Sequence, residues 1–295
     1  MSSSTPPTPP PPPPHTPQPS LTIRFWGVRG SIASPGPDTI RYGGNTACVE
    51  VRAGDQLLVL DGGTGLRRLG AHLLSLRAPS EAHIFLSHLH WDHIQGIPFF
   101  TPAFIPGNRV RFYGERKGSQ GLQEILEAQM HSPNFPVPLS IMRALISFEE
   151  IGPESAVTIG DARVTMTHLN HPNGCLGIRI ERGGRAVVYA TDTEHYPNGA
   201  IDPNLLALAR GADALIYDAM YTDEEYKTRV GWGHSTFSEG IRLAAAAGVH
   251  QLLFFHHDPE HDDDFLDRQL AHHRESARAV GVQAEMAREG LVVEL

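Results

Sequence analysis

The sequence has few cysteines and no long apolar run. Cys48 and Cys175 are the two cysteines among its 295 residues, too few for a disulfide framework or a thiolate zinc site. No apolar stretch is long enough to cross a membrane. The N-terminus shows no basic region followed by an apolar core, so it does not read as a secretory signal. These absences predict a cytoplasmic protein that does not act in a membrane.

Clustered positive charge is also missing. The formal net charge is −9, and lysine and arginine form no run. Because duplex nucleic acid is bound mainly through clustered cations, a broad duplex-binding surface is not expected. A small anionic substrate stays compatible with this charge, since bound metal ions can supply positive charge locally. Histidine, in contrast, is plentiful: the chain has 17.

The chain divides into a tail and one domain. Residues 1–20 are rich in Ser, Thr and Pro and include an unbroken proline run from Pro9 to Pro14. Such a tract cannot bury a core and favours polyproline II, so a disordered tail is expected, with docking to a proline-recognising partner as the alternative. The whole chain is 40% hydrophobic and 19% charged, as globular proteins are. Residues 21–295 are expected to form a single domain.

Strands alternate with helices in two β-rich halves. Strands are predicted at 22–26, 47–52, 57–60, 83–86, 110–113, 156–159, 163–167, 175–181, 186–190, 214–217, 251–255 and 291–293, and helices at 66–76, 94–100, 121–130, 203–209, 237–247 and 263–280. Residues 132–138 are expected to be a stiff loop that covers a site, contacts a second subunit or simply connects two elements. This order predicts two sheets packed face to face with helices outside.

The strongest chemical signal is the segment Ser87-His88-Leu89-His90-Trp91-Asp92-His93, directly after an apolar strand. Imidazole and carboxylate are the ligands that zinc and similar divalent ions prefer. In an extended segment His88 and His90 point to the same side and can bind one ion. Asp92 and His93 lie past the bend and can face a second ion. A polar loop with incidental histidines is the alternative.

This H-x-H-x-D-H cluster resembles the signature of the metallo-β-lactamase superfamily, and the resemblance extends from about residue 21 to the end. It implies an α/β fold, the αββα four-layer sandwich, with mixed sheets packed face to face. It also implies a metal-dependent hydrolase with two Zn²⁺, or Mn²⁺ or Fe in their place, and a homodimer.

The resemblance places the remaining ligands on three turns. His171, before a proline, is expected as the third ligand of the first ion, with His168 as its competitor. Asp192 follows a buried strand and is expected to bridge the ions, with helix capping as the alternative. His256 is expected to bind the second ion, with His257 as its competitor.

Asp61 begins the sequence Asp61-Gly62-Gly63-Thr64-Gly65. The family places an aspartate there to accept a hydrogen bond from a ligand histidine, an interaction that orients the ligand. The glycines are interpreted as allowing the backbone to approach the metal turn closely. Phosphate cradling is the weaker reading, because the segment lacks the Lys-Ser/Thr of a P-loop.

The segment Gly231-Trp232-Gly233-His234-Ser235-Thr236 narrows the branch. Phosphodiesterases of the superfamily carry a histidine at this place as proton donor, so His234 is the expected general acid. The alternative is that Ser235 caps the following helix and His234 is a bystander. The segments 25–31, 43–46 and 217–221 also resemble bacterial members of this branch. No basic, glycine-rich arm is present, which favours a small phosphodiester over tRNA.

These expectations combine into a mechanism. His88, His90 and His171 hold one ion; Asp92, His93 and His256 hold the other; Asp192 bridges them; Asp92 and His234 act in catalysis. The predicted reaction is hydrolysis of a small phosphodiester, such as a cyclic nucleotide, by metal-activated hydroxide. Alternatives are thioester or lactone hydrolysis, tRNA 3′-end cleavage, flavin-linked di-iron redox chemistry and a non-enzymatic binding module.

Overall fold

The computed structural model describes residues 20–295. The predicted proline-rich tail therefore lies, except for Ser20, outside the described residues. The described part has fourteen strands, which are β1 Thr22–Gly27, β2 Cys48–Ala53, β3 Gln56–Leu60, β4 Glu81–Phe85, β5 Arg109–Gly114, β6 Leu145–Glu150, β7 Ala156–Ile159, β8 Ala162–Leu169, β9 Cys175–Arg182, β10 Arg185–Ala190, β11 Ala214–Asp218, β12 Gln251–Phe255, β13 Gln283–Met286 and β14 Val292–Glu294.

Seven α-helices connect or follow these strands. They are α1 Gly65–Ser75, α2 Trp91–Ile94, α3 Leu122–Gln129, α4 Pro203–Ala209, α5 Asp223–Tyr226, α6 Phe237–Ala247 and α7 Asp263–Ala279. The first sheet has the order β14-β1-β2-β3-β4-β5-β6, and the second has the order β13-β12-β11-β10-β9-β8-β7. Both sheets are mixed, since β3 to β6 and β10 to β13 run parallel while the other pairs are antiparallel.

Three apolar clusters define four layers. The central cluster joins the inner faces of the two sheets, with Leu58 and Phe85 from the first and Ile216 and Phe255 from the second. A second cluster packs α4, α6 and α7 against the outer face of the second sheet. A third packs α1 and α3 against the outer face of the first sheet. The predicted αββα sandwich of mixed sheets is therefore confirmed.

The strand directions place the candidate site. Strands β3 and β4 are parallel neighbours in the first sheet, and β10, β11 and β12 are parallel neighbours in the second. Parallel strands present their carboxyl ends at one edge of a sheet, where open α/β sheets bind ligands. The side chains that follow these five strands therefore meet at one end of the sandwich.

The structure corrects one predicted helix and adds two strands. Residues 94–100 do not form one helix: α2 ends at Ile94, and a separate 3₁₀ turn covers Ile97–Phe99, because Gly96 and Pro98 interrupt the helix. The sequence pattern does not predict β6 and β13. Each lies at the edge of its sheet, and β6 alternates exposed with half-buried residues over most of its length. Within residues 20–295, no helix has the length and apolar character that would suit a membrane crossing.

Candidate metal centre

Four predicted ligands converge in a first group. The ligand atoms of His88, His90, His171 and Asp192 all lie within 4.8 Å of one another. The ring of His88 is 4.4 Å from that of His90 and 5.0 Å from that of His171. The predicted alternation of His88 and His90 at the end of β4 therefore directs both imidazoles to one point.

A second group forms beside it. The ligand atoms of Asp92, His93 and His256 also lie within 4.8 Å of one another. Nε2 of His93 is 3.3 Å from Nε2 of His256, and each of these nitrogens is 3.2–3.3 Å from Oδ2 of Asp92. The backbone N–H of Ser31 donates to the same Asp92 oxygen at 2.8 Å and fixes the carboxylate.

Asp192 touches both groups. Its Oδ2 lies 3.5 Å from Nε2 of His88, and its Oδ1 lies 3.2 Å from Nε2 of both His93 and His256. One carboxylate oxygen therefore faces each group, which is the geometry that a bridging ligand requires. Capping of a helix, the alternative for Asp192, is not observed, because α4 is capped by Asp202.

The donor set fits divalent cations. The buried Nε2 atoms of His88 and His171 have no hydrogen-bond partner among the described residues. Burial, with neighbouring imidazoles, holds the pKa of His88 well below its ordinary value, which favours the neutral imidazole that metal binding requires. Despite burial, the three carboxylates around His93 raise its pKa well above the ordinary value. Cations in the centre would replace that proton.

The Asp61 carboxylate is a shared hydrogen-bond partner beside the candidate ligands. Its carboxylate accepts hydrogen bonds from the backbone N–H and the hydroxyl of Ser87, at 2.7 and 2.8 Å. The Tyr189 hydroxyl donates to it at 2.7 Å, and Nδ1 of His93 lies at 2.7 Å. When Nδ1 donates to Asp61, the lone pair of His93 is on Nε2 and faces the second group. This is the placement expected for Asp61.

His171 is oriented in a similar way. Its Nδ1 lies 3.1 Å from the carbonyl oxygen of Gly233, and donation there leaves the Nε2 lone pair for the first group. A Cβ on Gly233 would come within 2.1 Å of the His171 ring. Glycine at 233 therefore permits the close contact of this backbone with the candidate ligand.

The backbone around the centre is tightly packed and locally strained. A Cβ on Gly63 would lie 2.2 Å from the carbonyl oxygen of Asp92, as expected from the interpretation that the glycines allow close approach. Asp61, Asp192 and His256 have φ values of 63°, 48° and 61°. Left-handed conformation is uncommon for residues other than glycine, and the residues that adopt it cluster at functional sites. Three strand ends thus turn sharply to aim a side chain at the centre.

His234 lies next to both groups. Its ring centroid is 5.0 Å from that of His256 and 5.7 Å from that of His171. Nδ1 of His234 is 2.8 Å from Oδ2 of Asp218. Burial lowers the pKa of His234, but Asp218, followed by Asp192 and Asp92, outweighs burial and raises it to about 9. The carboxylates around His234 therefore favour its protonated form at neutral pH.

Comparison with known proteins settles the family. A family model described as "Beta-lactamase superfamily domain" matches residues 58–257, more than half of the chain. The chain belongs to this superfamily. It is 24% identical to the ribonuclease Z of Methanopyrus kandleri, over 92% of this chain and 97% of the relative. These matches confirm the predicted superfamily and its phosphodiesterase branch.

Solved structures show the same fold. The metallo-β-lactamase fold protein YhfI from Bacillus subtilis superposes with a TM-score of 0.69 at 22% identity, covering 93% of this chain and 99% of that one. A diphosphatase from the PhnP family superposes with a TM-score of 0.66 at 18% identity, covering 93% and 98%. The superfamily fold implies divalent metal ions, and the chain is a metal-dependent hydrolase.

The competing histidines lie outside the centre of this superfamily member. Nε2 of His168 pairs with Oε1 of Glu115 at 2.6 Å. His257 Nε2 donates to the carbonyl oxygen of Ala287 at 2.8 Å, and burial lowers the pKa of His257 to about 3. Neither residue belongs to a group of converging ligands.

The alternative role of Ser235 is also absent. Helix α6 is capped by Thr236, whose side chain accepts from the backbone N–H of Glu239. Ser235 instead accepts from the Tyr217 hydroxyl at 2.9 Å. The orientation of the His234 ring thus follows from its contact with Asp218, and Ser235 does not cap the helix.

Asp218 is the site residue that sequence reasoning missed. It also accepts hydrogen bonds from the backbone N–H groups of Met220 and Thr193, at 3.1 and 3.2 Å. It is the last residue of the fully buried strand β11. The same signal that singled out Asp192, a carboxylate that ends an apolar strand and needs a partner for its charge, was therefore present.

Proposed function

We propose that the chain hydrolyses a small phosphodiester, such as a cyclic nucleotide, at a dinuclear metal centre. The observation that carries this proposal is the His234–Asp218 pair beside the two ligand groups. An alkoxide is a poor leaving group and needs a proton donor. A buried, protonated histidine meets that need.

The proposed ligands of the first ion are His88, His90 and His171. The proposed ligands of the second ion are Asp92, His93 and His256, and Asp192 is the proposed bridge. Imidazole-rich sites of this kind suit Zn²⁺, with Mn²⁺ or Fe as alternatives. Bound there, two such ions would lower the pKa of water and offset negative charge on the phosphoryl oxygens.

The other tasks fall to the chain itself. The Asp218 carboxylate accepts a hydrogen bond from the Nδ1–H of His234 and keeps the imidazolium in one orientation. The second ring nitrogen of His234 is then free to donate its proton to the leaving oxygen. Asp61, through His93, and the Gly233 carbonyl, through His171, keep two candidate ligands in the tautomer that metal binding requires.

Cleavage of tRNA 3′ ends is the second candidate function. It is supported by the name of the Methanopyrus relative, ribonuclease Z. A small substrate is supported by the net charge of −9 and the lack of a lysine- and arginine-rich run, because a large nucleic acid is held mainly through its phosphates.

A substrate panel tests the proposal. The metal-loaded protein is assayed with bis(p-nitrophenyl) phosphate, cyclic nucleotides, a thioester and a tRNA precursor with a 3′ trailer. We expect turnover of the first two. On the cyclic nucleotides, whose leaving group is an alkoxide, His234→Ala should lose activity while it keeps its metal. His168→Ala is the matched control, since His168 lies outside the centre. Turnover of the thioester alone would overturn the proposal, and turnover of the tRNA precursor alone would establish the second candidate.

Zinc as the native metal, a homodimer and a cytoplasmic location stay predictions from the sequence and its resemblance. Elemental analysis of the purified protein, light scattering on a sizing column and cell fractionation are the corresponding measurements.

A further inference from the structure

A pocket of about 490 Å³ shares a chain segment with the metal centre. Leu89 and Trp91 line it, and these residues alternate with the candidate ligands His88, His90 and Asp92. Residues at the end of α3 and in the loop that follows it also line the pocket. Small-molecule sites usually have 300–1,000 Å³, so the pocket has the size of a site for a small organic group.

The lining combines aliphatic and aromatic side chains with amides and carries no charge. Trp91 and Phe99 are 76% and 51% exposed, and the Phe99 ring lies 5.7 Å from the ring of Phe135 in an edge-to-face arrangement. Among the described residues that line the pocket, none is Lys, Arg, Asp or Glu. The phosphate of a substrate therefore has no partner here and belongs at the metal centre.

One amide of the wall has an unused acceptor. Nε2 of Gln129 donates to the carbonyl oxygen of Ile94 at 2.9 Å, which fixes the orientation of the amide. Oε1 of the same amide is buried and has no hydrogen-bond partner within residues 20–295. Buried acceptors normally have partners. Gln95 and Asn134 add further amides to the lining.

We infer that this pocket binds the planar base of a nucleoside substrate whose phosphodiester lies at the metal centre, an inference that rests on the proposed function. Aromatic faces stack on bases, and amides pair with their edges.

Two substrates with one leaving group test the inference. Thymidine 5′-(p-nitrophenyl phosphate) and methyl p-nitrophenyl phosphate differ only in the group that the pocket would hold. We expect Phe135→Ala to lower the ratio of their kcat/KM values, nucleoside over methyl, on the order of tenfold, as the loss of one stacking contact does. Leu76→Ala, an exposed apolar position outside the pocket, should keep that ratio within about twofold.

A binding measurement separates this inference from the proposed function. Thymidine alone should quench the tryptophan fluorescence of the full chain, and Trp91→Phe should abolish the quenching. If the wild type hydrolyses neither ester, the proposed function fails, while quenching still decides the pocket. An unchanged kcat/KM ratio in Phe135→Ala together with no quenching would overturn the pocket alone. A change of oligomeric mass with an equal loss on both esters would assign the pocket to a subunit contact and overturn the inference.

Discussion

Replacing Asp218 with Asn removes the charge that keeps His234 protonated. Burial favours the neutral imidazole of His234, and Asp218 is the first of the charges that oppose burial. In the wild type the proton is therefore lost only as pH rises through about 9. Without the Asp218 charge, the pKa of His234 should fall to the ordinary histidine value of about 6.5.

The size of the effect follows from these two values. At pH 8 a group with a pKa of about 9 is roughly nine-tenths protonated, and one with a pKa of about 6.5 only about three-hundredths. Asp218→Asn should thus lower kcat/KM up to roughly thirty-fold at pH 8 through protonation alone. At pH 6 the same comparison gives less than about twofold.

The assay is the ratio of variant to wild-type kcat/KM between pH 6 and pH 9 on a substrate with an alkoxide leaving group. Taking the ratio cancels the titration of other groups that both proteins share. Asp213→Asn is the matched control, because Asp213 precedes the same strand, β11, at its opposite end and pairs with Arg185. A defect that stays constant over this range, with metal content unchanged, would refute the proton-holding role of Asp218.

Three further predictions concern the metal. Asp192→Asn should reduce bound divalent metal from about two ions per chain to one or none, measured by elemental analysis, because both ligand groups lose an anionic oxygen; two retained ions would exclude the bridge. Asp61→Asn should weaken metal affinity by about 10–100-fold in a chelator competition, since it no longer holds the His93 ring; an unchanged affinity would show that its contact is dispensable. Chelation should lower the Tm, because Asp92 and Asp192 are then buried without cations. Added Zn²⁺ should restore the Tm in proportion to the logarithm of the free Zn²⁺ concentration. A Tm that does not respond to zinc would contradict the proposed centre.

Much of the fold could be predicted because apolar strands end in recognisable side chains. The run Ala186 to Ala190 is apolar and is followed within two residues by Asp192, and the run ending at Phe255 is followed by His256. Strand β12 and helices α4 and α6 have the predicted bounds. Hydrophobic periodicity predicted the positions of the strands and helices. The resemblance predicted that the polar side chains at the strand ends meet around two ions.

The remainder depends on contacts between distant segments. The orientation of His234 comes from Asp218, which precedes it by 16 residues on another element. The exclusion of His168 comes from Glu115, 53 residues away. Strand β13 is recruited by parallel pairing with β12, although its own sequence alternates weakly. Such partners are set by the packing of the two sheets, and a local pattern does not encode them.

The proposed ligands come from both halves of the chain. His93 follows β4 of the first sheet and meets His256, 163 residues later, at the end of β12 of the second. During synthesis, a nascent chain that has emerged only through β6 offers an incomplete set of the proposed ligands. The proposed set of ligands is therefore complete only once β12 has folded beside the first sheet, and the first half of the chain alone cannot form it.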